Sequence, residues 1–416
     1  MFKRLVTSLL KRAAQKRLQH SKLLVVGVSG SAGKTSTKAA IALALSAYFP
    51  TLSSPKNYNN EFGVPLTILT EKTPAQALGW LSVLGRAWWK RKLPLPYQAL
   101  VLEMGIDQPG DMEYLLRIVK PDLAVLTNIG TVHLQAFSNQ EALAAEKLKL
   151  LRGLGQEGVA IINQDDPALA AASASLSSKV ISFGKSKKAD LRFRVSGQPG
   201  NLAFTISGAS KEPLTLQTNL LSQHQGYILS ASMAVVQALG LDPTPAAQAL
   251  TKLQAPPGRE TLLPGIKNSL IIDSTYNSSP AAAKAMLATL QQVSQAQNRR
   301  PVAILGDMLE LGSDEAIAHQ TIIQELANYP LAILVGQAFK AALDRLYPEQ
   351  QPNNLHWFSK SEALVPCLQA KLQDHDCILF KASQGIRLEK ALQHFLAEPM
   401  QATQVLVRQE ASWQRH

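Results

Sequence analysis

Cysteine is nearly absent from this chain of 416 residues; only Cys367 and Cys377 occur. That excludes a disulfide framework and a cysteine-built metal cluster, and it suits a reducing cytoplasm. Long apolar runs are also missing. None approaches the roughly 18 residues that a membrane-spanning helix needs. Acidic side chains are absent from residues 1–22, where Lys3, Arg4, Lys11, Arg12, Lys16, Arg17 and Lys22 supply +7 of a formal net charge of +12. Lys11 and Arg12 interrupt the apolar core that a secretory signal requires. No basic motif interleaved with aromatics in the manner of nucleic-acid binders is present, so no nucleic acid is expected as a partner.

Residues 1–20 read as a basic amphipathic helix, with Phe2, Leu5, Leu9 and Ala13 at helical spacing. Such a segment either packs on the first domain as a solvated leader or touches an anionic membrane surface weakly. The remaining positive charge comes partly from Arg86, Lys90, Arg91 and Lys92. Nothing in the sequence sets an oligomeric state.

Hydrophobic residues make up 46% of the chain and charged residues 17%, as in an ordinary globular protein. The length suggests two or three domains. Runs at 22–28, 99–104, 123–129 and 158–162 read as buried parallel strands, with helical stretches at 34–47 and 139–152 between them. Residues 180–218 hold short strands with turn signals, read as an antiparallel flap or sheet extension. A helix follows at about 225–240. Prolines 243, 245, 256 and 257 and Gly258 then mark a boundary. Beyond it, strands at 269–273, 301–306, 331–336 and 377–383 alternate with helices in a smaller Rossmann-like unit. The alanine-rich stretch 281–288 reads as helix and 291–300 as a solvated loop. The expected architecture is α/β: a basic segment 1–20, a central nucleotide-binding domain 21–250 with a mostly parallel sheet, and a C-terminal domain 251–416.

The stretch "VVGVSGSAGKTST" (Val25–Thr37) follows a strand and opens a helix, the context of a phosphate-binding loop. Gly30, Ser31, Ala32 and Gly33 would turn backbone N–H groups toward phosphate oxygens, aided by the helix N-terminus. Lys34 would reach the β- and γ-phosphates, the Thr35 hydroxyl would ligate Mg²⁺, and Ser36 completes the loop. Yet Val28 stands where the common G-x-x-x-x-G-K-[ST] spacing places glycine. Glu103 ends a predicted strand, where α/β sheets place ligand sites. It is either a solvated carboxylate or, opposite the loop, a Mg²⁺ ligand. Ser138-x-x-Glu141 reads as a capping box. On the helix it opens, Lys147 falls within the apolar arc of Leu143, Ala144, Leu148, Leu150 and Leu151, with Glu146 and Lys149 outside. Burial there lowers a lysine pKa unless the side chain snorkels.

The loop "SGSAGKTST" resembles the shortened loop of the Mur ligase family, so Val28 is not a lost glycine. "NYNNEFGVPLTIL" (57–69), "LEMGIDQPGDM" (102–112), "LTNIGTVHLQAF" (126–137), "PGRE" (257–260), "IIDSTYNSSP" (271–280), "ILGDMLELG" (304–312) and "KASQGIRLEKAL" (381–392) are similar, in order, to the branch of that family that adds D-alanyl-D-alanine. The resemblance implies an ATP-dependent carboxylate–amine ligase acting through an acyl phosphate. Its substrates would be a UDP-muramyl peptide, or a similar carboxylate, and a D-Ala-D-Ala-like amine, in cytoplasmic peptidoglycan synthesis. Lys34, Lys147 and His133 would be catalytic. Thr35, Glu103, His133 and Lys147, carbamylated by CO₂, would hold metal. Asn60, His224, Arg259 and Asp273 would join the loop around ATP, while Tyr276, Asn277, Lys381 and Ser383 would face the substrate.

Departures from the family pattern are clear. The H-N-x-x-N motif reads His224-Gln225-Gly226-Tyr227-Ile228, and K-G-S-R-G reads Lys381-Ala382-Ser383-Gln384-Gly385. Gln384 cannot bind a carboxylate bidentately as arginine does. About 20 residues precede the first strand, too few for the family's UDP-sugar-binding domain, which is therefore expected to be lacking. Two further readings stay open. One is a related ligase acting on another amino acid and carboxylate, as in folylpolyglutamate or cyanophycin-type synthesis. The other is a non-catalytic nucleotide-binding scaffold for cell-wall enzymes.

Overall fold

The structure is a computed structural model that describes residues 2–55, 58–74, 76, 78–130, 136–409 and 413. The chain divides into two compact units. The first runs to Leu253, except that residues 197–202 and 219–222 group with the second, which continues from Gln254.

In the first unit, strands β1 (Leu24–Ser29), β3 (Ala99–Glu103), β4 (Leu123–Leu126) and β5 (Val159–Asn163) come from nearly unbroken apolar runs. They are buried on both faces, the signature of a parallel sheet covered by helices on each side. With β2 (Thr51–Ser53), β6 (Lys179–Gly184), β7 (Leu191–Gln198), β8 (Asn201–Ser207) and β9 (Leu214–Thr218), the sheet order is β2-β3-β1-β4-β5-β6-β7-β8-β9. The 180–218 segment extends this sheet, but it does not begin antiparallel. β6 runs parallel to β5 along its length, and its end meets the start of β7 in parallel. The chain must reverse at the short connections from β7 to β8 and from β8 to β9, which are too short for a parallel crossover.

Helix Phe2–Gln19 lies against this unit, but on a face different from the expected one. Val6, Leu10, Ala13 and Ala14 are buried, whereas Phe2 and Leu5 are exposed. Arg17 decides the rotation: its guanidinium donates to the carbonyl of Ile68 (3.1 Å) and to Thr70 Oγ1 (3.1 Å).

The second unit holds β10 (Thr261–Pro264), β11 (Leu270–Ser274), β12 (Arg300–Gly306), β13 (Leu331–Val335), β14 (Leu355–Phe358) and β15 (Asp376–Lys381). Their order is β10-β11-β15-β12-β13-β14, parallel except for the β10–β11 pair. Alternation sends Val302 and Ile304 to one core and Ala303 and Leu305 to the other. The expected loop at 291–300 is largely helix instead, since Pro280–Ala296 is continuous. Leu290 and Val293 extend the buried stripe of Met286 and Leu287, which outweighs the polar glutamines between them.

Candidate active site

β1 delivers the chain into the loop at Gly30, whose φ is +142°. A Cβ there would lie 2.0 Å from Thr127 Oγ1, so the position admits only glycine. Gly33, at φ +77°, turns the chain into the helix Lys34–Leu45. The loop is braced from the end of β4. Asn128 Oδ1 accepts from the amides of Ser31 (3.0 Å) and Ala32 (2.8 Å), and Ser31 Oγ accepts from the Gly130 amide (2.7 Å). Thr127 Oγ1 donates to the Ala32 carbonyl at 2.6 Å. Lys34 Nζ folds back onto the carbonyls of Gly30 (2.8 Å) and Ser31 (3.3 Å). Thr35 is buried and Ser36 half-buried in the first helical turn.

The parallel register pairs Val28 with Glu103, so the Glu103 carboxylate stands one strand away from the loop. Asn59 Nδ2 donates to its Oε1 at 3.1 Å. Among the described residues, its buried Oε2 accepts no hydrogen bond, and it faces the equally buried Lys38 ammonium at 3.6 Å. A buried carboxylate oxygen without a donor, beside a threonine-bearing phosphate loop, fits a hard cation. Among the described residues, no group of three or more His, Cys, Asp or Glu gathers to hold a metal. His133 lies in 131–135, outside the described residues.

Lys147 sits on helix Gln140–Arg152 and is only 1% exposed. Burial, then the nearby Lys34 ammonium, push its pKa down to about 8, against a smaller pull from Asp107. Two details of this helix differ from the sequence reading. Asn139, not Ser138, caps it, accepting from the Ala142 amide at 2.8 Å. Glu146 is buried as well, because its Oε1 accepts from the Met112 amide (3.0 Å) at the start of the preceding helix, Asp111–Leu116. That unpaired helix-start N–H draws the carboxylate inward.

The remaining candidates are spread through both units. Asn60 Oδ1 accepts from the amides of Phe62 (3.2 Å) and Gly63 (3.0 Å), at the start of helix Gly63–Leu69. His224 precedes helix Gln225–Ala238, with its ring 6.4 Å from that of Tyr227. In the second unit, the Arg259 guanidinium lies 3.8 Å from the centroid of the Tyr276 ring. Asp273 is fully buried, which raises its pKa to about 6. Its oxygens accept from the Gly258 amide (3.1 Å), the Thr275 amide (3.0 Å) and the Thr275 hydroxyl (2.7 Å). Burial lowers the Lys381 pKa to about 8, and its ammonium donates to the Asn277 carbonyl at 2.9 Å. Ser383 Oγ accepts from the Leu309 amide at 2.9 Å.

Sequence reasoning missed Lys38, Asn59, Thr127 and Asn128 around the loop. Lys38 carried a signal, since it stands one helical turn after Lys34 on a face otherwise apolar. Asn59 and Asn128 lie within the stretches 57–69 and 126–137 that resemble the family, but their partners, 44 and 97 residues away, cannot be read from those stretches.

Residues 28–236 match the Mur ligase middle domain and residues 258–384 the Mur ligase glutamate ligase domain. The chain is 28% identical over 394 residues to the UDP-N-acetylmuramoyl-tripeptide–D-alanyl-D-alanine ligase of Bacillus subtilis, covering 94% of this chain and 80% of that one. Against the enzyme of that name from Escherichia coli it is 25% identical, covering 88% of this chain and 76% of the other. Among solved structures, MurF from Acinetobacter baumannii superposes with a TM-score of 0.79 at 27% identity, covering 94% of this chain and 80% of that one. MurF ligase from Thermotoga maritima in complex with ADP superposes with a TM-score of 0.76 at 25% identity, covering 95% and 84%. Matching on both domains and on the loop that its strands build, the chain belongs to the Mur ligase family.

Proposed function

We propose that this chain is an ATP-dependent carboxylate–amine ligase that adds D-alanyl-D-alanine to a UDP-muramyl tripeptide in peptidoglycan synthesis, acting in the cytoplasm. The observation that carries the reading is the placement of Glu103 one strand from the phosphate loop, through the Val28–Glu103 register. The substrate carboxylate attacks the γ-phosphate of ATP, ADP leaves, and an acyl phosphate forms. The amine then attacks the acyl carbon, inorganic phosphate departs, and an amide bond results.

In this reading Lys34 swings from its own loop carbonyls to the transferring phosphoryl group, where its charge offsets the charge that develops. Thr35, Glu103, His133 and Lys147 as its carbamate would hold Mg²⁺, which when bound supplies charge neutralisation to the phosphate oxygens. The depressed pKa of Lys147 supports the carbamate, since a neutral amine is the form that adds CO₂. Asn60, His224, Arg259 and Asp273 are assigned to the nucleotide side, and Tyr276, Asn277, Lys381 and Ser383 to the substrate side.

One observation favours a second reading in which the amine differs. Gln384 is exposed where the family pattern carries arginine, and the nearby Arg387 and Arg408 are both committed to Glu389 at 2.7 and 2.8 Å. The test is to incubate the protein with ATP, Mg²⁺, bicarbonate, UDP-muramyl peptides and either D-Ala-D-Ala or single amino acids. ADP release and product mass are then followed. Release that requires the tripeptide and D-Ala-D-Ala is expected. ADP release with another amine alone would establish the second reading, and no substrate-dependent release would overturn both.

A further inference from the structure

We propose that the outer face of helix Gly79–Lys90, with the basic segment that follows it, docks on an anionic lipid surface. This is independent of the ligase reading. The helix buries Val83 and Ala87 and rests Trp80 and Leu84 against the core of the first unit. A surface helix of this kind normally turns polar side chains outward. Here Leu78 is 79% exposed, Leu81 69%, Trp88 60% and Trp89 68%. At about 100° per residue these four fall within about 60° of Gly85, on one stripe opposite the buried face. Among the described residues, nothing lies within 4 Å of a Cβ placed at Gly85, at the centre of the stripe. Ser82 is the one polar side chain within it.

Charge identifies the occupant. Between Glu71 and Glu103 the chain has no acidic residue, but it has Lys72, Arg86, Lys90, Arg91 and Lys92. Glu71 is buried and accepts from both Arg86 (2.8 Å) and Lys90 (2.7 Å), so its single charge answers two cations. The Arg91 guanidinium stacks on the Trp88 ring, 3.2 Å from its centroid, which puts a cation at the border of the apolar stripe. Helix Phe2–Gln19 has no acidic residue either, and its Arg17 is tied to this region through the Leu93 carbonyl at 3.3 Å.

An apolar stripe carrying two tryptophans and bordered by cations matches the interface of an anionic bilayer, where indoles settle at headgroup depth. No described helix is long and apolar enough to cross a membrane, so contact would be interfacial. A second copy is the poorer occupant, because a symmetric contact would bring the same cations face to face. Nucleic acid would satisfy the cations but leave Leu78 and Leu81 in water.

The test uses the full chain and vesicles of phosphatidylcholine with or without phosphatidylglycerol. Cosedimentation is expected with the mixed vesicles only, with a blue shift of tryptophan emission and steep weakening by salt. Arg91→Glu/Lys92→Glu is expected to weaken binding by more than tenfold, at roughly fivefold per surface charge, and Trp88→Ser/Trp89→Ser by about tenfold or more. Acyl-brominated lipid should quench the emission of the unaltered protein, a readout that needs no variant. Absence of both quenching and cosedimentation overturns the proposal. So does vesicle binding that either double variant leaves unchanged. A dimer that Trp88→Ser/Trp89→Ser dissociates, or a gel shift of nucleic acid, found without vesicle binding, would assign the face to that partner instead.

Discussion

Gly30 and Lys147 carry two different constraints at the scale of single residues. At Gly30 the constraint is steric: a methyl group meets the Thr127 hydroxyl at 2.0 Å, and the φ of +142° is itself strained for any other residue. Gly30→Ala is expected to cost about 1–3 kcal/mol of stability and to abolish the rise in melting temperature on adding ATP. At Lys147 the constraint is electrostatic. With its pKa near 8, about a tenth of the amine is neutral at pH 7. A carbamate carbon is therefore expected by NMR with ¹³C-bicarbonate, and Lys147→Ala should lose that signal. The variant should also lose activity by roughly 100-fold, partly restored by a short carboxylic acid. An unmodified enzyme with full activity after Lys147→Ala would refute the carbamate.

Asp273 gives a residue-scale pH dependence. Its carboxyl is held near pKa 6 in the folded chain, above the ordinary 3.8. The native state therefore binds more protons than the unfolded state between about pH 4 and 6. Its contribution is fully present below pH 4 and lost as pH rises through 6, to the extent of roughly 3 kcal/mol. Urea unfolding at pH 4.5 and 6.5 should show this fall in the wild type and a flatter profile in Asp273→Asn. Equal profiles would reject the assignment.

Elements in this protein are joined by side chains that reach far along the sequence. In the second unit Arg408 donates to Glu389 at 2.8 Å and to the Thr275 carbonyl at 2.6 Å, all of it buried. That ties the C-terminal residues to the end of β11. Arg408→Ala leaves a buried carboxylate facing the remaining Arg387 alone, and a loss of about 3–5 kcal/mol is expected in urea titration. The strands themselves were legible in the sequence. Parallel strands buried on both faces need continuous apolar runs, and "LVVGVS", "ALVLE" and "LAILV" are such runs. The three-residue β2 and the four-residue β10 and β14 were not, because edge strands this short carry too few residues for a pattern. The start of helix Gln140–Arg152 was legible to within a residue, since both Ser138 and Asn139 are good caps and the structure uses Asn139, whereas the far end of Pro280–Ala296 was hidden by its run of polar residues.

At the scale of the whole molecule, each unit has its own sheet and its own apolar cores, so each should unfold as a cooperative block. Calorimetry is expected to show two transitions. ATP at about 100 times its Kd should stabilise the first unit by about 2.7 kcal/mol, while Arg408→Ala should lower only the other transition. A single transition moved by both perturbations would overturn this.

The sequence by itself determined the α/β rhythm, the short spacing Gly30–Thr35 and the order of the motifs, since all of these are local patterns in which a backbone period or a glycine requirement is written directly. Tertiary structure alone decided what the motif residues touch. It set Lys38 against Glu103, Asn128 against the loop amides and Arg17 beneath the N-terminal helix, and it turned Trp88 and Trp89 outward. The placements of Lys38, Asn128 and Arg17 depend on which buried charge or N–H lacks a partner once the strands have paired, and such a shortage exists only in the folded chain.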